Sequence, residues 1–515
     1  MADVIHMCGI AGVKGTEGSG TVGSMLDVLA HRGPDGRNEW SPGVERGDVI
    51  IGHVRLSIID VEGGKQPILN EDGSVAIVVN GEIYNYKELR HALENKHVFK
   101  TGSDSEVVLH LFEEKGMACF DDLDGMYAIA IWNSPDELIL ARDPLGIKPL
   151  YHGSGKDGAF YFASEIKALA SNVPEIKELP PGRAWRVGEQ ARLHYTMPRP
   201  RATITRASEA VALVDRTLNN AVRKRLMSDV PLGSFLSGGL DSSLITAMTR
   251  THMDGEELHT FCIGLDGSRD VEHARELARL MDTNHHELLV SERDIIDALP
   301  RVIYHLESFD PALVRSSIPT YLVSELASNH VTVVLSGEGA DELFAGYRYL
   351  DPIAKDGTKL DEELHRITST LHNTNLQRVD RMTMANKIEG RVPFLDSSMV
   401  SLAFSIDPAL KHGGTGKHVL RKVAEKYIPF EHAWRTKEKF AIGTGIGPVL
   451  ERHAGEAIDD DAFRDAMRDA PFPFRTKEQV LYWNIFKQHY DRSDIIDQMG
   501  HSKSLNPGQV WEMAT

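Results

Sequence analysis

Apolar residues along this chain change their rhythm partway along. Up to about residue 195 they gather in short runs, at 8–13 (CGIAGV), 52–60 (GHVRLSIID), 75–85 (VAIVVNGEIYN), 126–132 (MYAIAIW) and 138–142. Many short sheet-forming runs with helical stretches between them predict a layered α/β or α+β domain. The stretch 197–205 (MPRPRATIT) carries two prolines and basic residues that disfavour regular structure, and it reads as a linker. From residue 207 the period lengthens: Val211, Val214, Leu218, Ala221, Val222 and Leu226 share one face of a helix over 207–227. Strand, glycine-rich loop and helix then recur. Apolar Phe235-Leu236 precede SGGLDSS (237–243) and a helix-like stretch at 244–250; a strand at 258–265 precedes a helix at 272–281; a strand at 331–335 breaks at Ser336-Gly337-Glu338-Gly339. That recurrence predicts a parallel, doubly wound sheet with a nucleotide at its carboxyl edge. Beyond about residue 368 the pattern is mainly helical, with 375–396 reading as a helix followed by an extended loop. The expected domains are 8–195 and 207–515, joined by 196–206.

Composition narrows the class. A chain of 515 residues, 41% hydrophobic and 26% charged, is long enough for about two to four domains, and its balance is that of a soluble globular protein. No apolar run is long enough to span a bilayer, so no membrane partner is expected. A net charge of -18 argues against nucleic-acid binding, which draws on excess Lys and Arg. Cys8, Cys119 and Cys262 support neither a disulfide framework nor a zinc cluster, and residues 1–7 lack the apolar core of a secretion signal. A cytoplasmic location is expected.

Candidate chemistry concentrates in two places. In SGGLDSS the paired glycines Gly238 and Gly239 let successive N–H groups and a helix start converge on a phosphate, while Ser237, Ser242 and Ser243 add hydroxyls. Asp241 is an anion inside that anion site and makes sense with a divalent cation between it and the phosphates, so a Mg²⁺-nucleotide is implied. Asp341, after the third strand, would reach the same edge and complete a metal pair. A tight turn with a helix cap accounts for the same string without a ligand. In the first domain Cys8 follows Met7; as an amino terminus it would carry its own base, the α-amino group of pKa about 8. A buried structural cysteine is the alternative. Arg55 interrupts an apolar strand with a fork suited to an α-carboxylate. Asn80 and Gly81 offer the donor pair of an oxyanion hole, although Asn-Gly is equally a turn pair. Glu82 and Asp104 could hold a substrate ammonium.

The motifs CGIAG, HRGPD, RLSIID, NGEIYN, TGSD, LSGGLDSS, HHEL, SGEGADELFAGY, DRMTM, GRVPFLD and RTKEKF occur in that order between Cys8 and about Phe486. In this the chain resembles the glutamine-dependent asparagine synthetases of the bacterial type. The resemblance implies an Ntn-hydrolase α/β/β/α glutaminase sandwich followed by a doubly wound ATP-pyrophosphatase (PP-loop) domain with a mainly helical carboxyl-terminal part, and ammonia passing between them. It implies Cys8 as the nucleophile, Asn80 and Gly81 as the oxyanion hole, and Arg55, Glu82 and Asp104 as the grip on glutamine. It places adenosine near Phe235, Ile263, Ser336 and Gly337, the pyrophosphate on 237–243 with Mg²⁺ on Asp241 and Asp341, and Lys437 against the departing phosphates. Arg315 would position aspartate and Glu338 would serve the intermediate. The substrates implied are glutamine, aspartate and ATP, and a homodimer is expected. Residues 1–7 depart from the family pattern, in which the cysteine follows the initiating Met; either Met7 is the start or the leader is removed. An ammonia-only synthetase, a related amidotransferase acting on another carboxylate, and a non-catalytic nucleotide- or glutamine-binding regulator are the rival readings.

Overall fold

The computed structural model describes residues 8–15, 19–33, 35–43, 48–253, 255–435, 445–469 and 474–499. Its amino-terminal part contributes β1 (Gly9–Lys14), β2 (Gly36–Trp40), β3 (Val49–Arg55), β4 (Ile68–Leu69), β5 (Val75–Ile83), β6 (Gly125–Asn133), β7 (Glu137–Arg142), β8 (Tyr151–Ser154), β9 (Phe160–Ala163), β10 (Lys177–Glu178), β11 (Arg183–Arg186) and β12 (Arg192–Leu193). They form two six-stranded sheets, ordered β10-β8-β9-β1-β3-β2 and β12-β11-β7-β6-β5-β4. Because successive side chains of a strand point to opposite faces, each strand feeds two cores. Ile10 and Ile51 of one sheet meet Ala76, Val78, Ala130 and Trp132 of the other. Their neighbours Ile77, Val79, Ile129 and Ile131 turn outward onto Val107, Val108 and Leu111 of the helix Glu106–Lys115. On the far side Ala11, Val13 and Val54 pack under Val22, Met25 and Leu26 of the helix Ser19–Val28. Helix, sheet, sheet, helix is the expected sandwich. Two local readings are corrected. Asn80-Gly81 is no hairpin: it lies inside β5, opposite Ala128 and Tyr127. Arg55 ends β3 rather than sitting within a longer strand.

The second part contributes β13 (Leu232–Phe235), β14 (His259–Gly264), β15 (Asn284–Leu289), β16 (Val333–Leu335) and β17 (Glu389–Arg391). They form one parallel sheet in the order β15-β14-β13-β16-β17. Helices Ala207–Lys224, Leu240–His252 and Arg269–Leu280 cover one face with Cys262 and Leu335. Helices Glu292–Leu306 and Pro311–Ala327 cover the other with Phe261, Ile263 and Val334. The chain winds outward through β14 and β15, then crosses back to β16. The crevice between the carboxyl ends of β13 and β16 is therefore the topological switch point. β17 lies where an extended loop was expected, and β15 was not anticipated as a strand. The helix after the glycine loop starts at Leu240, four residues early, because extended Gly239 (φ −82°, ψ 158°) takes the N-cap.

A buried ionic belt joins the two parts. Arg32 reaches Glu165 at 2.6 Å and, across the seam, Asp380 at 2.9 Å. Arg381 answers with Glu165 at 2.9 Å and Glu307 at 2.8 Å. Burial alone would raise the Glu165 carboxyl, but Lys167, His31, Arg381 and Arg32 hold it well below the usual range.

Candidate active site

Cys8 lies half-buried at the head of β1, its Sγ 3.5 Å from the Leu56 carbonyl and 3.4 Å from the Leu56 N–H. Arg32 donates from Nε to the Cys8 carbonyl at 3.2 Å. Burial pushes the thiol up to about 12, against the Leu56 hydrogen bond; Glu389, Arg55 and Glu82 are the charges that act on it. Ser164 ties Asn80 to the same strand, since its Oγ accepts from the Ile10 N–H at 2.9 Å and stands 3.5 Å from Asn80 Nδ2. Gly81 has φ +144°, and a Cβ there would lie 1.9 Å from the Met126 carbonyl, so only glycine fits.

The Arg55 fork is braced by backbone: it donates to the Asp60 carbonyl at 2.6 Å and the Val61 carbonyl at 2.8 Å. Asp60 in turn accepts from the Gly102 N–H at 2.7 Å, which fastens the loop carrying Asp104. Asp104 accepts from the Ile83 N–H at 2.7 Å, and burial raises its carboxyl to about 6. Glu82 is raised well above its ordinary range by burial, then by Asp104 and Glu389. Arg391 faces Glu82 at 3.3 Å without hydrogen-bond alignment. Two buried carboxylates short of compensation make a receptor for a cation of ammonium size.

At the switch point the two loops touch. A Cβ on Gly337 would lie 2.7 Å from the Ser242 N–H nitrogen, and Gly238 (φ +71°) packs against the backbone of Asp270 and Ala274. Asp241 and Asp341 converge, as the parallel sheet predicts, and the group between them is Lys417: its Nζ lies 2.5 Å from Asp241 Oδ2 and 2.7 Å from Asp341 Oδ1. Burial opposes that charge, yet the two acids hold the ammonium above the ordinary lysine range. Asp241 Oδ1 is buried without a hydrogen-bond partner among the described residues. Two carboxylates aimed at one cation, with an oxygen to spare, fit a hard divalent ion such as Mg²⁺. A cleft of about 260 Å³ opens beside Lys417, lined in part by Gly346, Tyr347, Arg348 and Gly416.

Other expected residues take different partners. Ser237 and Ser242 hydroxyls bond each other at 3.0 Å, while the Ser243 hydroxyl is buried without a partner among the described residues. Glu338 pairs with Arg378 and does not cap the helix Ala340–Leu343. The Arg315 fork is taken by Glu478. Phe235 and Ile263 close β13 and β14 near the crevice. Ser336 donates its N–H to the Arg391 carbonyl at 2.9 Å. Lys437 lies outside the described residues.

The sequence reading missed Lys417, Arg378 and Glu342. Lys417 sits at the N-cap of His418–Ala424 with φ +56°, an unusual backbone for lysine, and the glycines at 413, 414 and 416 were the available signal. Glu342 is raised to about 7 by burial, then by Glu338 and Asp341.

The chain thus combines a sandwich of two six-stranded sheets with a five-stranded parallel sheet that carries the acidic loops at its switch point. The glutamine amidotransferase domain family matches residues 7–184, and the asparagine synthase family matches 213–357 and 352–514. Glutamine-hydrolyzing asparagine synthetase 3 of Arabidopsis thaliana is 40% identical over 517 residues, covering 95% of this chain and 88% of that protein. Glutamine-hydrolyzing asparagine synthetase 2 of the same plant is also 40% identical, with the same coverage. A probable glutamine-hydrolyzing asparagine synthetase of Dictyostelium discoideum is 37% identical over 514 residues, covering 92% and 91%. The chain belongs to the asparagine synthase family.

Proposed function

We propose that the chain makes L-asparagine from L-aspartate and ATP, with L-glutamine as nitrogen donor, in domains spanning 8–195 and 207–515 with 196–206 between them. A carboxylate does not react with ammonia, because it would have to expel an oxide. Attack of the aspartate β-carboxylate on the α-phosphorus of ATP removes that obstacle, giving β-aspartyl-AMP and pyrophosphate. Ammonia, passed inside the protein from the glutaminase site, then displaces AMP. The loop 237–243 holds the departing pyrophosphate, and Phe235, Ile263, Ser336 and Gly337 hold the adenosine. Asp241 and Asp341 would hold Mg²⁺, which when bound supplies positive charge to the leaving group. Lys417, freed from the acids, and Lys437 neutralise the departing phosphates. Arg315 positions the aspartate, and Glu338, oriented by Arg378, aids formation of the intermediate and then takes a proton from the attacking amine.

In the first domain the Cys8 thiol attacks the glutamine carboxamide, Asn80 with Gly81 receives the oxyanion, the C–N bond breaks to release ammonia, and water then hydrolyses the γ-glutamyl thioester to glutamate and free thiol. Arg55 takes the substrate carboxylate, and Glu82 and Asp104 take its ammonium. The observation that carries the reading is the convergence of Asp241 and Asp341 on one cation at the switch point. The relatives' activity supports it.

One observation favours a second reading, an ammonia-only synthetase: the Cys8 thiol is pushed up to about 12 and needs a base. Exposure of the Cys8 α-amino group by loss of residues 1–7 supplies one, and intact-mass measurement of the protein from its native host checks for it. The deciding assay follows asparagine, AMP, pyrophosphate and glutamate with aspartate, Mg-ATP and either glutamine or ammonium. Wild type is expected to use both donors, and Cys8→Ala only ammonium. Glutamine-supported synthesis by Cys8→Ala would overturn the first-domain assignment, and failure to release AMP and pyrophosphate with either donor would overturn the whole reading.

A further inference from the structure

His432 is 3% exposed, and among the described residues neither of its ring nitrogens has a hydrogen-bond partner. A buried imidazole left this way costs free energy unless something satisfies it. Its Nε2 lies 3.4 Å from Glu276 Oε2 without hydrogen-bond alignment. His273, one helical turn before Glu276 on Arg269–Leu280, sets its ring perpendicular to His432 with centroids 5.5 Å apart. One ligand atom from each of the three lies within 4.8 Å of the others.

We propose that His273, Glu276 and His432 bind a divalent cation of the zinc class. Ligand bonds of about 2.0–2.2 Å in a tetrahedral set place ligand atoms about 3.3–3.6 Å apart, which spans the 3.4 Å separation of His432 Nε2 from Glu276 Oε2. Two imidazoles and one carboxylate suit Zn²⁺, Co²⁺ or Ni²⁺, whereas an all-carboxylate set such as Asp241 and Asp341 suits Mg²⁺. Exposed Glu276 supplies the entry path, and buried His432 the anchor.

The position gives the cation a task. A Cβ on Gly238 would lie 2.9 Å from His273 Cβ, so the phosphate loop rests on the helix that carries two of the ligands. Three residues after His432, Arg435 donates to the Gly238 carbonyl at 3.0 Å and pairs with Asp270 of the same helix. The cation would therefore clip together both supports of Gly238.

The test uses the full chain, stripped with a chelator and titrated with Co²⁺ in excess Mg²⁺, which keeps the Asp241 and Asp341 pair out of the measurement. The expected result is a tetrahedral-type visible absorption that Zn²⁺ displaces. His273→Gln and Glu276→Gln change a half-buried and an exposed side chain, and far-ultraviolet circular dichroism checks that both variants fold. Each is expected to weaken cobalt binding by about tenfold or more. The difference spectrum between wild type and variant isolates this site from the His259, His286 and His330 group and from the Glu71, His97, His110 and Glu113 group, whose ligand atoms also converge. No visible band in the wild type, or cobalt titrations unchanged by both substitutions, would overturn the proposal.

Discussion

Replacing Lys417 by Met keeps the side chain up to the position of Cε and the φ +56° backbone but deletes the charge between Asp241 and Asp341. The Lys417 side chain is 3% exposed and each aspartate 19%, so the trio is shielded without being sealed. Breaking a buried pair costs about 3–5 kcal/mol when the partner is left uncompensated. The lower end applies, because water reaches both acids. A loss of about 3 kcal/mol corresponds to a fall of roughly 5 °C or more in the melting of the second domain. The same substitution frees two carboxylates for a metal, so its stability becomes dependent on Mg²⁺ in the absence of nucleotide. Differential scanning calorimetry across a Mg²⁺ series checks this: the variant regains most of the loss, and the wild type barely moves. If Lys417→Met melts with the wild type, or melts low with no response to Mg²⁺, Lys417 does not stand where the metal binds.

Other consequences are testable in the same preparation. Gly81→Ala forces a Cβ to within 1.9 Å of the Met126 carbonyl, so glutamine-dependent synthesis is lost while ammonia-dependent synthesis remains, by parallel donor assays. Burial raises Asp104 to about 6, so its charge disappears as pH falls through that value. The KM for glutamine then climbs by up to about tenfold per pH unit below 6, while the KM for ammonia does not share that inflection. Glu338→Gln stops pyrophosphate release with aspartate but leaves glutamine hydrolysis running, by separate pyrophosphate and glutamate assays. Arg32→Met leaves Asp380 without its 2.9 Å partner and costs about 3 kcal/mol. Because Arg32 also holds the Cys8 carbonyl, that variant releases more glutamate per asparagine formed.

Much of this was legible in the chain, and the parts that were not share a physical cause. Strand, paired glycines and acid at 235–241, repeated at 335–341, are local signals, and the topology of a parallel sheet does the rest. Strand β17 carries no such signal: Glu389-Gly390-Arg391 has no apolar residue. Its burial depends on charges from far away, such as Lys148, 3.3 Å from Glu389 yet 241 positions distant. Lys417 stands 176 positions from Asp241, and Arg378 is 40 from Glu338. Partners at such separations leave no trace in periodicity. For Asn80-Gly81 only the alternative turn reading fails, because a pair common in turns is used here where β5 must pass close to the Met126 carbonyl.

The seam of Arg32, Glu165, Asp380, Arg381 and Glu307 has a consequence for how the protein comes apart. Exposed surface pairs are screened by salt, but pairs excluded from water are screened far less. A protease that nicks the chain within 197–205 would therefore release nothing: the two fragments should travel as one particle through high salt and separate only in denaturant. Expressed alone, each half would carry a stripe of buried-type charges into water with no counterpart. The buried seam, and not the peptide link through 197–205 alone, would then keep the two parts one particle.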